Sequence, residues 1–219
     1  MRRSPSMTSS TSGFEPLEDP RPSAAPWAEA RWPIDPTTVL ARDSISLTLT
    51  TPHDAPELFD ALDDDRCWAH VRGRPASPDA CADTIRGARA AGRWMWTVRE
   101  QGAVVGRTSF LDVSPVDARL EIGFTCYAPH VWGTAVNPAC KLLLMVWAFD
   151  AAGFGRVQMK TDVRNARSQR AIASLGATCE GLLRRYQRRQ DDTVRDTVMF
   201  SVTAEDWPAV RARLEARLG

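Results

Sequence analysis

The sequence predicts one α/β (α+β) domain, a mixed and mostly antiparallel sheet with flanking helices, behind a loosely attached N-terminal extension. Three observations predict it. Short runs alternate apolar and polar residues with the period of a strand. One long apolar stripe at helical spacing separates two such runs, which is the pattern of a strand–helix–strand crossover and its parallel pair. The first 36 residues are rich in Pro, Ser and Ala, and Pro5, Pro16, Pro20, Pro22, Pro26, Pro33 and Pro36 interrupt any regular element. The chain therefore divides into an extension over 1–36, disordered or loosely attached, and a folded domain over 37–219. Trp27 and Trp32 are the extension residues with a reason to dock.

In SISLTLT, Ile45, Leu47 and Leu49 alternate with polar partners and form a strand. Asp54 is read as the N-cap of a helix carrying Ala55, Leu58, Phe59 and Leu62 on one face. A second helix covers 79–91, with Gly92 as its stop. WMWTVRE and VVGRTSFLDV flank Gln101-Gly102 as a hairpin, and RLEIGFTCY follows as a third antiparallel run. Asn137-Pro138 opens a helix to about Ala152, with Ala139, Leu142, Leu143, Val146 and Phe149 on its stripe. Gly153 and Gly155 end it. RVQMKTDV is a strand, and 165–175 a short helix closed by Gly176. TCEGLLRRYQRR and VRDTVMFSVT make a second hairpin, and an amphipathic helix from about Ala204 closes the chain.

Bulk properties narrow the function. With 43% hydrophobic and 25% charged residues the chain reads as an ordinary globular domain, and a net charge of +1 gives no global electrostatic case for nucleic acid or membrane. Cys67, Cys81, Cys126, Cys140 and Cys179 are scattered, and His53, His70 and His130 show no metal-ligand spacing with them, so no metal is expected and the thiols are read as reduced. No window holds the roughly 18 apolar residues of a membrane span. MRRSPSMTSSTSGFEP lacks an apolar signal core, and a cytoplasmic protein is expected.

The loop APHVWGTAVNP runs from a strand into a helix, where free backbone N–H groups and the helix dipole suit a phosphate. The same loop also reads as a plain connection. VVGRTSFLD, LEIGFTCYAPHVWGTAVNPACKLLLMVWAF, GRVQMKTDVRNARSQRAIASLGATCEGLLRR and VRDTVMFSVTAEDWPAV then follow in an order that resembles a GCN5-related N-acetyltransferase (GNAT). More narrowly, it resembles the branch containing ribosomal-protein alanine N-acetyltransferases. The resemblance runs from Trp96 to the C-terminus, and more loosely from Ser44.

The resemblance implies a six- to seven-stranded sheet whose fourth and fifth strands splay apart. It implies acetyl-CoA, or another acyl-CoA, as cosubstrate, with the pantetheine lying against the strand at about 120–127 beside Cys126 and Tyr127, and the partner strand at about 156–163. The pyrophosphate falls on Trp132, Gly133, Thr134, Ala135, Val136 and Asn137. Asn165 is implied as a pantetheine or acceptor contact, although a helix cap reads equally well. Ser168 is implied as a hydroxyl facing the sulfur, against an ordinary first-turn serine. Arg167 and Arg170 are candidate partners of the 3′-phosphate, against a solvated face. Where many relatives carry a tyrosine acid, this chain has Ile172. The usual loop pattern, Gln/Arg-x-x-Gly-x-Gly/Ala, here reads Trp132, Ala135 and Asn137. A left-handed Ala135 would cost ~1 kcal/mol or more relative to Gly. Pro138 is expected to delay the helix by a turn, with Asn137 as cap.

The implied reaction needs a group to remove the ammonium proton of the amine. Glu121 is the candidate base, against a strand glutamate that faces solvent or pairs with arginine; His130 and Glu180 are weaker candidates. An α-amine is about a fifth neutral near pH 7.4 and a lysine only about one part in a thousand, so a site without a strong base favours an α-amine acceptor. A protein N-terminus and a small-molecule amine both fit. The run Arg184-Arg185-Tyr186-Gln187-Arg188-Arg189 reads as a solvated hairpin, or as a surface for RNA, the ribosome or another acidic partner. The alternative to the enzyme is a non-catalytic CoA-binding sensor or structural relative.

Overall fold

The computed structural model describes residues 15, 17–19 and 27–219. Two short strands, β1 (Val39–Arg42) and β2 (Ile45–Leu49), precede three helices, α1 (Ala55–Ala61), α2 (Asp65–Trp68) and α3 (Pro78–Ala90). Strands β3 (Trp94–Glu100), β4 (Ala103–Ser114) and β5 (Arg119–Tyr127) follow as a meander. Then come α4 (Val136–Val146), β6 (Arg156–Asp162), α5 (Ala166–Ser174), the hairpin β7 (Thr178–Arg188) and β8 (Val194–Thr203), and α6 (Trp207–Leu218).

All eight strands form one sheet in the order β1-β2-β3-β4-β5-β6-β8-β7. Every neighbouring pair is antiparallel except β5–β6, the parallel pair that crossover through α4 requires. The count exceeds the expected six to seven because Val39–Arg42 turns through Asp43 (φ +51°) and pairs with β2.

Two apolar layers clamp the sheet. Trp96, Phe110, Leu120, Ile122 and Met159 pack with Leu144 and Met145 of α4 and with Leu214 of α6. Leu58, Leu62, Trp68, Ile85 and Met95 form a second cluster with Cys126. Because Glu121 lies between Leu120 and Ile122, strand alternation turns it to the face away from α4.

Residues 27–36, read as part of the loose extension, run against the domain. Trp27 donates to the Val116 carbonyl (3.0 Å), the Arg31 amide to that of Ala152 (2.7 Å), and the Trp32 ring meets Trp94 at 4.8 Å. Most of 1–26 lies outside the described residues. Asp54 is not a cap. The chain enters α1 through a 3₁₀ turn at Pro52–Asp54, and the Asp54 carboxylate accepts from Thr51 N (2.7 Å) and Arg99 (2.6 Å) instead. Among the described residues no helix is long and apolar enough to cross a membrane.

Candidate active site

β5 and β6 pair at three positions and then part after Glu121 and Gln158. β6 stays with β8 along its whole length, while β5 stays with β4. A bulge turns β5 away: Phe124 and Thr125 together face Thr108, and Phe124 takes φ +50°. Beyond the bulge β4 and β5 close tightly, since a Cβ on Gly106 would lie 2.5 Å from the Cys126 carbonyl and the Tyr127 ring. The parting leaves a cleft of about 400 Å³. β5 and β6 wall it, α4 and α5 close it, and residues 66–72 border it.

At the apex Glu121 is 2% exposed. Its Oε2 lies 2.7 Å from Lys160 Nζ, and Gln158 Nε2 donates to it at 3.4 Å. Lys160 also meets Asp112 at 3.2 Å. Burial raises the Glu121 pKa above the ordinary glutamate value, against the pull of Lys160. For Lys160, burial pulls the pKa down, but the hydrogen bonds and charges of Glu121 and Asp112 outweigh it and leave a firmly protonated ammonium. Gly123 makes room for this carboxylate, because a Cβ there would lie 2.8 Å from Glu121 Oε1.

A second ion pair stands further along β6. Arg189 grips Asp162 through Nε (2.6 Å) and Nη2 (2.8 Å), and the Arg164 amide adds a bond of 2.9 Å. Burial works against this carboxylate, yet Arg189 and the Arg164 amide hold its pKa down at about 2. The arginine run over 184–189 is thus partly consumed within the fold, with Arg188 paired to Asp192 at 2.7 Å.

At the mouth, Trp132 Nε1 donates to the Tyr127 carbonyl (2.7 Å), and the Arg167 and Arg66 guanidinium groups lie 4.0 and 5.7 Å from its ring. The left-handed residue of this loop is Gly133 (φ +80°), while Ala135 sits unstrained at φ −69°. Asn137 is not the cap and the helix is not delayed. α4 begins at Val136, with Ala135 in the cap position, and Pro138 falls in the first turn, where a missing N–H breaks no ladder bond. Among the described residues the amides of Gly133, Ala135 and Asn137 bond to nothing in the protein.

Trp132, Gly133, Asn137, Asn165, Arg167 and Ser168 all line the cleft with Glu121. Asn165 Oδ1 caps α5 by accepting from the Ser168 amide (3.0 Å). Cys126 and Tyr127 border the cleft but bury their side chains; burial pushes the Cys126 thiol up to about 12, and it donates to the Cys67 carbonyl (3.2 Å). Thr134 and Ala135 are exposed outside the cleft lining, Val136 is fully buried, and Arg170 is exposed beyond the lining. His130 is likewise outside it, and Glu180 is taken by Arg156 (2.6 and 2.5 Å). Sequence reasoning did not single out Lys141, Lys160, Arg66 or Asp162, which also line the cleft. Lys160 carried a signal, since it alternates with Met159 as Glu121 does with Leu120. Among the described residues no cluster of His, Cys, Asp and Glu could hold a metal ion.

The family model described as "Acetyltransferase (GNAT) domain" matches residues 45–178. An uncharacterized N-acetyltransferase, p20, from Bacillus licheniformis is 27% identical over 117 residues, which are 53% of this chain and 65% of that relative. The match thus spans just under two thirds of the relative's length. An acetyltransferase-like protein from T. thermophilus is 34% identical with a TM-score of 0.77, covering 86% of this chain and 100% of that one. Mycobacterium smegmatis RimJ in complex with CoA-disulfide shares the fold at 22% identity, with a TM-score of 0.70 over 79% of this chain and 88% of its own.

Proposed function

Because the chain belongs to the GNAT acetyltransferase family, we propose that it moves an acetyl or related acyl group from acyl-CoA to a primary amine in the β5–β6 cleft. The observation that carries this reading is the buried Glu121 carboxylate at the point where the two strands part. The cleft fits an acyl-CoA by its donor set. Open amides at Gly133 and Asn137 in the cleft lining, with Arg66 and Arg167 on the Trp132 ring, suit a diphosphate. The unpaired edges of β5 and β6 suit an amide-bearing arm, and the CoA complex of the fold neighbour RimJ lends support.

In this reading Glu121 takes the proton from the attacking amine. Nitrogen bonds to the acyl carbon, the carbon–sulfur bond breaks, and a second proton from the nitrogen ends on the sulfur, which leaves as a thiol. Burial makes the carboxylate a stronger base, but the Lys160 ammonium tempers it. A base so tempered suits an amine of low pKa, and we assign the acceptor to the α-amines, whether of a protein N-terminus or of a small molecule. Asn165 Nδ2 and Ser168 Oγ, which have no protein partner among the described residues, are assigned to the arm and the sulfur.

A second reading is binding without turnover, favoured by Ile172 at the position of the usual acid and by the engagement of Glu121 with Lys160. The test is calorimetric titration with acetyl-CoA, followed by thiol release against a panel of amines and N-terminal peptides. Binding with thiol release for α-amines is the expected result. Binding with no release for any acceptor favours the second reading, and no binding refutes both.

A further inference from the structure

The chain has only two lysines among its 28 basic Lys and Arg residues, and both side chains reach the cleft. Lys160 is held by Glu121 and Asp112 and stays charged. Lys141, in α4, is different. It is 5% exposed, and its Nζ has one hydrogen-bond partner among the described residues, the Thr125 hydroxyl at 3.1 Å. Thr125 is in turn bonded to Thr108 at 2.8 Å. No carboxylate comes within 4.0 Å of this ammonium among the described residues.

We propose that Lys141 is a self-acylation site, taking an acyl group from acyl-CoA bound in the cleft when no acceptor is present. The inference rests on the acyl-CoA reading above. Two physical facts favour the reaction. An unpaired ammonium is costly to bury, and conversion to an amide removes that charge. Lys141 also lines the same cleft as Glu121, so an acyl-CoA bound there would meet this amine locally instead of by an encounter in solution. In the step, the neutral Nζ attacks the thioester carbonyl. The Nζ–carbon bond forms, the carbon–sulfur bond breaks, and the proton lost by nitrogen ends on the CoA thiol, so no further reactant is needed.

The surroundings set the pH at which this occurs. Burial brings the Lys141 pKa down to about 8. The titratable and charged groups lining its cleft are Glu121, Cys126 and Tyr127 of β5, Lys160 and Asp162 of β6, Arg167 of α5 and Arg195 of β8, with Arg66, Cys67, His70 and Arg72 from the 66–72 segment. Cys140 neighbours it on α4, and its thiol is pushed up to about 11 and remains neutral. Neutral Lys141 accumulates as pH rises toward 8. At pH 7.4 its neutral fraction is roughly two-hundredfold that of an ordinary lysine.

The experiment is incubation of the full chain with acetyl-CoA alone, read by intact mass and peptide mapping, beside calorimetric binding of acetyl-CoA. One acetyl group on the Lys141 peptide is expected, with a rate that rises with pH and levels off above about pH 8. Lys141→Arg, checked for folding and binding, should remain unmodified, and excess desulfo-CoA should protect the wild-type protein. Acetyl-CoA binding with no acetyl on Lys141 overturns the proposal, as does modification that settles on Lys160 or that desulfo-CoA fails to block. Absence of acetyl-CoA binding overturns the acyltransferase reading itself, and the proposal with it.

Discussion

The two sides of the cleft handle charge in opposite ways. On the face away from α4, Glu121 and Lys160 are buried within 2.7 Å of each other, and Asp162 is forked by Arg189. Each carboxylate there has its cation inside the protein. On the α4 side, Lys141 rests on one threonine hydroxyl, that of Thr125, itself bonded to Thr108, with no anion beside it. The first arrangement fixes the position and basicity of a group before any substrate arrives. The second leaves an ammonium whose partner must come from outside, or which must give up its proton. In the proposed reading the first face moves a proton and the second meets a ligand.

Removing the internal cation breaks the contrast most severely. Lys160→Met leaves Glu121 buried without its ion partner, a change expected to cost about 3–5 kcal/mol. The sign with pH follows from protonation. Without the cation the folded-state pKa of Glu121 rises further, so the loss of stability is smallest in acid and grows toward neutral pH. Urea unfolding at two pH values reads this directly. Gly123→Ala tests position rather than charge: its Cβ would press on Glu121 Oε1, and turnover should fall roughly tenfold to a hundredfold, since misplacing a reacting group by an ångström costs on that order. Unchanged turnover would mean that the carboxylate has no catalytic position to lose. Trp132→Ala removes the ring that Arg167 and Arg66 lie against. At about 1 kcal/mol for such contacts, KM for acetyl-CoA should rise roughly fivefold with little change in kcat. An unaltered KM would detach this ring from the binding of CoA.

The fold was largely legible in the sequence because alternation and helical spacing are local properties. The exceptions are β1, whose four exposed or half-buried residues behind Pro33 and Pro36 carry too short a pattern to read, and α2, a single turn of four residues. The start of α4 was misplaced for a physical reason. Pro138 looked like a barrier, but the first turn of a helix needs no N–H from it, and Gly133 supplies the left-handed turn one would have sought at Ala135. Glu121 could be proposed from its strand and the resemblance. Its bond to Lys160 could not, because that depends on the parallel register of β5 and β6, strands 37 residues apart along the chain at Glu121 and Gln158. Lys141 was hidden most deeply. A single lysine beside Ala139, Leu142 and Leu143 reads as the wet side of an amphipathic helix, and only the parting of the strands turns that side toward a cleft.

The central claim, that Glu121 is the base of an acyl-transfer site, is tested most directly by kcat against pH for the wild type and for Glu121→Gln, with an α-amine acceptor. The account predicts an acidic limb in the wild type whose midpoint lies above the ordinary glutamate value, because burial raises that pKa. In Glu121→Gln the limb should vanish and turnover fall by about a hundredfold or more, the usual scale of a general base. A variant that keeps both the limb and the turnover of the wild type would contradict it.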